Sequence, residues 1–360
     1  MRQIWETMVR QFDEKRNFAL ATILSVEGSS PRKVGAKILA LDNGELVGTI
    51  GGGLFEANVC DVARVCLNNG VSVRRRFAFL GKDIESDQMI CGGSVEVLIE
   101  FVSADSQIKE KIYRKLLSSL DARVSSFLLK KINLAEGESI SGEIQHLCID
   151  DRGSRFGDFP DADECVGSIP PRRLIKPAQF LKTSEKTPPV LLEWVFPRNV
   201  VYIFGAGHVG AALCHLASYV DFEVVMIDDR DEYASPENLP DASETIVTNF
   251  ENAFSSISVD QDSYIVIVTK GHAHDRTTLA QALKTKACYI GMIGSRRKTK
   301  LIFDSLVNEG FAESDLERVH APIGLNIGGE TPQEIAVSIV AELIQARTNK
   351  LNRKRDQKNA

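Results

Sequence analysis

The 360-residue sequence contains no apolar run approaching 18 residues, which excludes a helical segment that crosses a bilayer. Its opening, MRQIWETMVRQF, mixes charge with apolar residues and has neither the apolar centre nor the cleavage site of an export signal. It reads as an amphipathic helix. Cysteine is sparse and odd in number, seven in all, with no paired framework spacing. That argues against a disulfide scaffold and predicts a reducing, cytoplasmic setting. Positive charge is not in excess: 43 Lys and Arg stand against 49 Asp and Glu, a net charge of −6, so bulk charge does not point to nucleic acid. Neither apolar nor charged residues are depleted, which excludes global disorder, and the length predicts two to three domains.

What is present divides into regions of different rhythm. Residues 18–25 (FALATILS) and 36–41 (AKILAL) read as strands flanking the turn GSSPRKVG, and Asp42-Asn43-Gly44 supplies hairpin chemistry before a short strand at 46–50. Helical spacing follows over 54–69, ended by Asn69-Gly70, with further strands at 71–80 and 94–102. Residues 104–188 are less patterned, yet they echo this order. Asp151-Arg152-Gly153 repeats Asp42-Asn43-Gly44, and VLLEWVF (190–196) echoes VLIEFV (97–102), as a degenerate second copy of the first domain would; chance likeness between short hairpins is the competing explanation. From Asn199 onward strands and helices alternate, which predicts a parallel sheet covered on both faces. Thr331, Pro332 and Glu334 form the capping box of a last helix. The expected class is α/β: an N-terminal α+β domain (1–105), a middle segment (106–197), a Rossmann-like doubly wound parallel sheet (198–346) and a basic flexible tail (347–360).

Several constellations carry chemistry. Gly205, Gly207 and Gly210 form a GxGxxG between a strand and a helix, with Asp228 ending the next strand, the context in which this motif holds a dinucleotide. Asp228, or Asp229 beside it, would then accept from a ribose diol, and a Rossmann-like turn that binds no nucleotide is the competing reading. His208 stands where its bulk faces the phosphates. Gly51-Gly52-Gly53 before a helix form a second place where backbone donors can hold an anion, and Ser29, Ser30 and Arg32 lie on a loop near the same strand ends. Tight turns alone would also explain these glycines. Cys91, beside Gly92 and Gly93, is the thiol with the most exposed backbone around it, and a soft thiolate suits molybdenum, copper or persulfide chemistry. His272 and His274, with Asp275, fall at the carboxyl edge of the predicted parallel sheet, without zinc-site spacing. Ser295 and Arg296 lie at the same edge, in a basic turn that reads as either an anion contact or a solvated surface.

Taken together, these motifs resemble the XdhC/CoxI family. Gly28-Ser29-Ser30-Pro31-Arg32, the Gly-Gly-Gly-x-x-Glu of 51–56, and Cys91-Gly92-Gly93 before an apolar strand are similar to its N-terminal domain. IFGAGHVG (203–210), IGMIGSRRK (290–298) and PIGLNIGGETPQEIA (322–336) are similar to its Rossmann domain. The resemblance implies a maturation factor, more chaperone than turnover enzyme, for a molybdenum hydroxylase of the xanthine dehydrogenase or aldehyde oxidoreductase type. Such a protein binds the molybdenum cofactor (molybdopterin, or its cytosine dinucleotide form), supports sulfuration by a cysteine desulfurase, and delivers the cofactor to the apo-enzyme, commonly as a homodimer. It further implies a phosphate clasp from Ser29, Ser30, Arg32 and residues 51–53, with Glu56 orienting donors or accepting from the pterin and Cys91 near the metal or its sulfur. Leu54 departs from the pattern, because the family often has Cys after the three glycines; weight shifts onto Cys91. An NAD(P)-dependent oxidoreductase built on the GxGxxG is the alternative, and a scaffold that only docks client and desulfurase is a third.

Overall fold

The structure is a computed structural model that describes residues 2–28, 32–79, 93–133, 139–140, 142–170, 177–181 and 188–356, with side chains to 349. Two compact units divide at Pro197 and Arg198.

In the first unit, α1 (Arg2–Asp13) buries Ile4, Trp5, Met8 and Phe12 along one stripe. β1 (Phe18–Gly28), β2 (Lys37–Leu41) and β3 (Leu46–Gly48) form a meander whose tight turn places Gly44 at φ 85°. α2 (Gly53–Asn69) is ended by Gly70 in the left-handed region, its N–H donating to the Cys66 carbonyl. β4 (Val73–Phe79) and β5 (Gly93–Val102) complete an antiparallel sheet of order β3-β2-β1-β5-β4. A second set follows: α3 (Gln107–Asp121), β6 (Ser126–Lys131), β7 (Gln145–Asp150), β8 (Arg155–Gly157), α4 (Ala162–Gly167), β9 (Ala178–Phe180) and β10 (Val190–Val195), with sheet order β8-β7-β6-β10-β9.

Alternation along the strands sorts the side chains into layers. Phe18, Leu20 and Leu39 of the first sheet share one core with α1, with α3 and with Leu128 and Cys148 of the second sheet. Ala19, Ala21 and Ile23 face the other way, against Phe55, Val59 and Ala63 of α2. Sequence periodicity overlooks α3, because its buried stripe includes Lys109 and Ser119 among Ile112, Tyr113 and Leu116.

The second unit contains β11 (Val200–Phe204), α5 (His208–Tyr219), β12 (Glu223–Asp228), β13 (Glu244–Val247), β14 (Tyr264–Ile267), α6 (His272–Ala282), β15 (Tyr289–Met292), α7 (Arg296–Asn308), α8 (Glu313–Leu316), β16 (Val319–His320) and α9 (Pro332–Asp356). Its six strands are all parallel, in the order β13-β12-β11-β14-β15-β16. This is the Rossmann order, which reverses between β11 and β14. Val201 and Ile203 pack toward α5 and α9, whereas Tyr202 and Phe204 pack toward α6 and α7. The capping box of α9 forms as its residue types require: Glu334 N–H donates to Thr331 Oγ1 at 3.3 Å, and Thr331 N–H donates to Glu334 Oε2 at 3.0 Å. α9 continues to Asp356, so the boundary expected at 347 falls inside a helix. The basic segment Gly294–Lys298 is likewise no surface turn; it opens α7.

Candidate functional site

In the first sheet, β1, β3 and β4 run one way and β2 and β5 the other. The connections 29–36, 49–52 and 80–92 therefore all leave the same sheet edge. Ser29, Ser30, Cys91 and Gly92 lie outside the described residues, but the described positions that flank them are neighbours. Gly28 pairs with Gly93, and Gly93 with Phe79. The glycine loop approaches the same place from the helix layer. Phe55, in the first turn of α2, meets Phe77 of β4 edge to face at 5.7 Å, two strand positions from the Phe79–Gly93 pair. At this edge Glu27 accepts from Ser94 Oγ at 3.0 Å and from Arg76 at 3.2 Å, and Arg32 is exposed.

The glycine loop itself differs from the expectation of a vacant anion site. Gly51, Gly52 and Gly53 take φ values of 139°, 75° and 61°, conformations that L side chains rarely adopt. The Gly52 N–H turns toward a carboxylate of the chain itself, and the Gly51 N–H donates to Thr49 Oγ1 at 3.2 Å. Glu56 Oε2 accepts from Thr49 Oγ1 at 2.7 Å, from Ile50 N–H at 2.9 Å and from Gly52 N–H at 3.2 Å. Burial pushes the Glu56 carboxyl up, but these donors outweigh burial and hold it below the ordinary carboxylate range. The Ile50, Gly51 and Gly52 N–H groups are thus already paired within the chain. What the loop offers outward is space: a Cβ at Gly52 or Gly53 meets no atom within 4 Å. Nothing in the sequence pattern singled out Thr49, whose hydroxyl completes this arrangement.

The carboxyl edge of the second unit gathers the other candidates. Gly205 (φ 111°) lies so close to β14 that a Cβ would sit 2.5 Å from the Val268 carbonyl, and one at Gly210 would sit 1.9 Å from the Gly205 carbonyl. Gly207 leaves open space before His208, which is exposed at the start of α5. These are the turn, packing and approach roles that the motif requires. Asp228 does not face a ribose site as expected. It is buried, and its oxygens accept from Ala206 N–H at 2.7 Å and from the Arg230 guanidinium at 2.8 and 3.1 Å. Burial raises its pKa, and those bonds more than reverse the effect. Arg230, absent from the sequence-based set, also stacks on Tyr233 at 3.9 Å.

Ser295 accepts from Lys298 N–H as the N-cap of α7, and Arg296 is exposed beside it. Lys298 turns inward to pair with buried Asp275, which also accepts from Thr269 Oγ1 at 2.6 Å; burial pushes that carboxyl up. His272 is exposed, and His274 packs on Phe250 at 5.1 Å. Among the described residues no group of three or more His, Cys, Asp or Glu is arranged to hold a metal ion. Burial pushes the Cys66 thiol up to about 11 and those of Cys148 and Cys214 up to about 12, which makes these three poor nucleophiles, whereas Cys288 is exposed.

Comparison with known proteins points in one direction. The model of the XdhC Rossmann domain matches residues 201–343, and that of the XdhC and CoxI family matches 12–78. A Bacillus subtilis protein described as a probable xanthine dehydrogenase subunit is 28% identical over 337 residues, 93% of this chain and 94% of that one. The uncharacterized protein YqeB of Escherichia coli is 35% identical over 154 residues, which are 42% of this chain and 28% of YqeB. A crystal structure from Bacillus halodurans, described as a xanthine dehydrogenase, superposes with a TM-score of 0.80 at 26% identity and covers 97% of this chain and 96% of that one. No helix among the described residues is long and apolar enough to cross a membrane.

Proposed function

The chain belongs to the XdhC and CoxI family, and on that premise we propose that it serves the maturation of a xanthine dehydrogenase-type molybdenum hydroxylase, carrying the molybdenum cofactor as cargo to the apo-enzyme. One observation supports this reading above others: the connections that bear Ser29–Arg32, Gly51–Gly53 and Cys91–Gly92 leave one edge of one sheet, with the start of α2 packed beside them.

The chemistry of that edge fits a pterin better than a second phosphate. A pterin presents N–H donors along its pyrimidine edge, and the Glu56 carboxylate, bonded within the loop through Oε2, is the acceptor this proposal offers them beside the open Gly52–Gly53 backbone. In this proposal Arg32, Ser29 and Ser30 take the phosphate or pyrophosphate of the cargo, which leaves the backbone of residues 51–53 to Glu56. Gly93 begins β5 directly after Cys91 and Gly92, and in this proposal the Cys91 thiol serves the metal or its transferable sulfur. A cysteine desulfurase is the sulfur source, and the protein works in the cytoplasm as a homodimer.

The NAD(P)-dependent alternative is weaker, because Asp228 already spends both oxygens on Ala206 and Arg230. The Gly207–His208 end of α5, with His272, Ser295 and Arg296 on the same edge, is assigned an anionic ligand of its own. Activation of apo-hydroxylase by purified chain tests the proposal. Cys91→Ala is expected to lower activation at least tenfold while leaving the fold intact, and unchanged activation removes the thiol from the mechanism.

A further inference from the structure

Residues 2–102 and 107–195 run through the same elements in the same order, and their sheets have the same strand order: β3-β2-β1-β5-β4 and β8-β7-β6-β10-β9. Strand register fixes which positions correspond. Leu20 faces Glu100 across β1 and β5 as Leu128 faces Glu193 across β6 and β10, and Thr22 faces Lys37 as Lys130 faces His146. The correspondence extends to the helices and loops. Gly48 closes β3 under Ile4 and the Lys37 carbonyl, and Gly157 closes β8 under Ile112 and the His146 carbonyl.

We infer that the first unit is an intramolecular dimer, in which one αβββαββ module docks on a second copy of itself through a self-complementary, twofold-related face. A twofold interface has a strict signature: if position i of one copy meets j of the other, then j meets i. Three sets of contacts carry that signature. Lys37 Nζ lies 2.7 Å from Glu193 Oε2, and at the corresponding positions His146 Nε2 lies 2.8 Å from Glu100 Oε1. The β1–β2 connection reaches the start of β9, where a Cβ at Gly35 would sit 3.0 Å from Pro177 Cβ; the β6–β7 connection reaches the start of β4, where Ile140 N–H donates to the Ser72 carbonyl at 3.0 Å. Positions on the axis must meet their own counterparts, and Trp5 stacks on Tyr113 at 6.0 Å between α1 and α3.

Lys130 joins the two halves of the network, 2.9 Å from Glu100 and 3.3 Å from Glu193, and all of these groups are buried. The copies have diverged at the ligand loop. Where the first has Gly51-Gly52-Gly53, the second has Pro160-Asp161-Ala162 beside a cleft of about 430 Å³ lined by Asp158 and Asp163, so the second module presents carboxylates where the first presents glycines.

Thermal unfolding of the full chain tests the inference through an exchange of counterpart residues. Lys37→His and His146→Lys each change the buried charge and are expected to lower the melting temperature of this unit by about 5–15 °C. The double exchange restores total charge at positions that share Lys130, and is expected to recover at least half of the combined loss. A double variant that loses as much as the two singles together overturns the inference. Hydrogen exchange on the unsubstituted chain gives a second reading that needs no variant to fold. The slowest amides of β1 and β5 are expected to open together with those of β6 and β10, and separate opening of the two sheets would contradict a shared interface.

Discussion

The Ile50 N–H donates to the Glu56 carboxylate at 2.9 Å, so the backbone donors of the glycine loop are held by an anion that the chain itself supplies. A loop of this kind is a device for fixing Glu56 rather than an empty phosphate cup. Glu56→Ala leaves the Ile50 and Gly52 N–H groups unpaired and is expected to cost about 1–3 kcal/mol of stability in denaturant titration. The same variant is expected to lose the bound pterin. Retention of full stability would mean that the loop holds its shape without the carboxylate.

Lys130 lies between two buried carboxylates. Lys130→Met leaves Glu100 to Lys109 and His146 and Glu193 to Lys37, each buried carboxylate one cation short, and is expected to destabilise the first unit by about 3 kcal/mol, whereas exposed pairs such as Arg64–Asp61 contribute almost nothing. Calorimetry of the two variants separates these outcomes.

The same network sets a pH dependence. Burial lowers the pKa of His146 in the folded chain despite Glu100, so its contribution to stability is present above the unfolded value of about 6.5 and is lost as pH falls below it. Burial alone would raise Glu100, but His146, Lys130 and Lys109 hold it well below the ordinary range. Its contribution is therefore full above about 4.3 and is lost only as pH falls further. Stability measured from pH 8 downward is expected to decline first near 6.5 and again below 4.3. A His146→Gln chain is expected to lack the first decline.

Asp228→Ala is expected to destabilise the second unit by about 2–4 kcal/mol, because it frees the Ala206 N–H and the Arg230 guanidinium within a buried turn. Loss of nucleotide binding in this variant would reflect the collapsed turn as much as a missing ribose contact. Thr331→Ala, at the capping box of α9, is expected to cost about 0.5–2 kcal/mol in the same unit. Chemical denaturation followed by a probe in the second unit checks both.

The Rossmann half is legible because its punctuation is local. Gly205, Gly207 and Gly210 announce their turn, Thr331-Pro332-x-Glu334 announces its cap, and the strands are short apolar runs. The module repeat is visible only in its hairpin and last strand, because the ligand loop has diverged and core positions have been exchanged, as Lys37 for His146. α3 is hidden by Lys109, a charge on a buried stripe that makes sense only once Glu100, from another strand, is seen to meet it. The occupancy of the glycine loop by Glu56 is hidden for a different reason. A Gly-rich turn followed by an acid in the first helical turn reads equally as an anion site with a nearby acid or as a site filled by it. Asp228 and Ser295 fail in the same way: each stands at the predicted edge, but spends its acceptors on the chain.

The central claim is that the amino-terminal unit holds a pterin-bearing cargo at the edge marked by Glu56 and Gly93. The most direct measurement is to purify the full chain from cells supplied with molybdenum cofactor, release small molecules by heat and oxidation, and quantify the fluorescent pterin derivative per chain. The account predicts stoichiometric pterin that is lost in Glu56→Ala; an equal, negligible yield from both chains would contradict it.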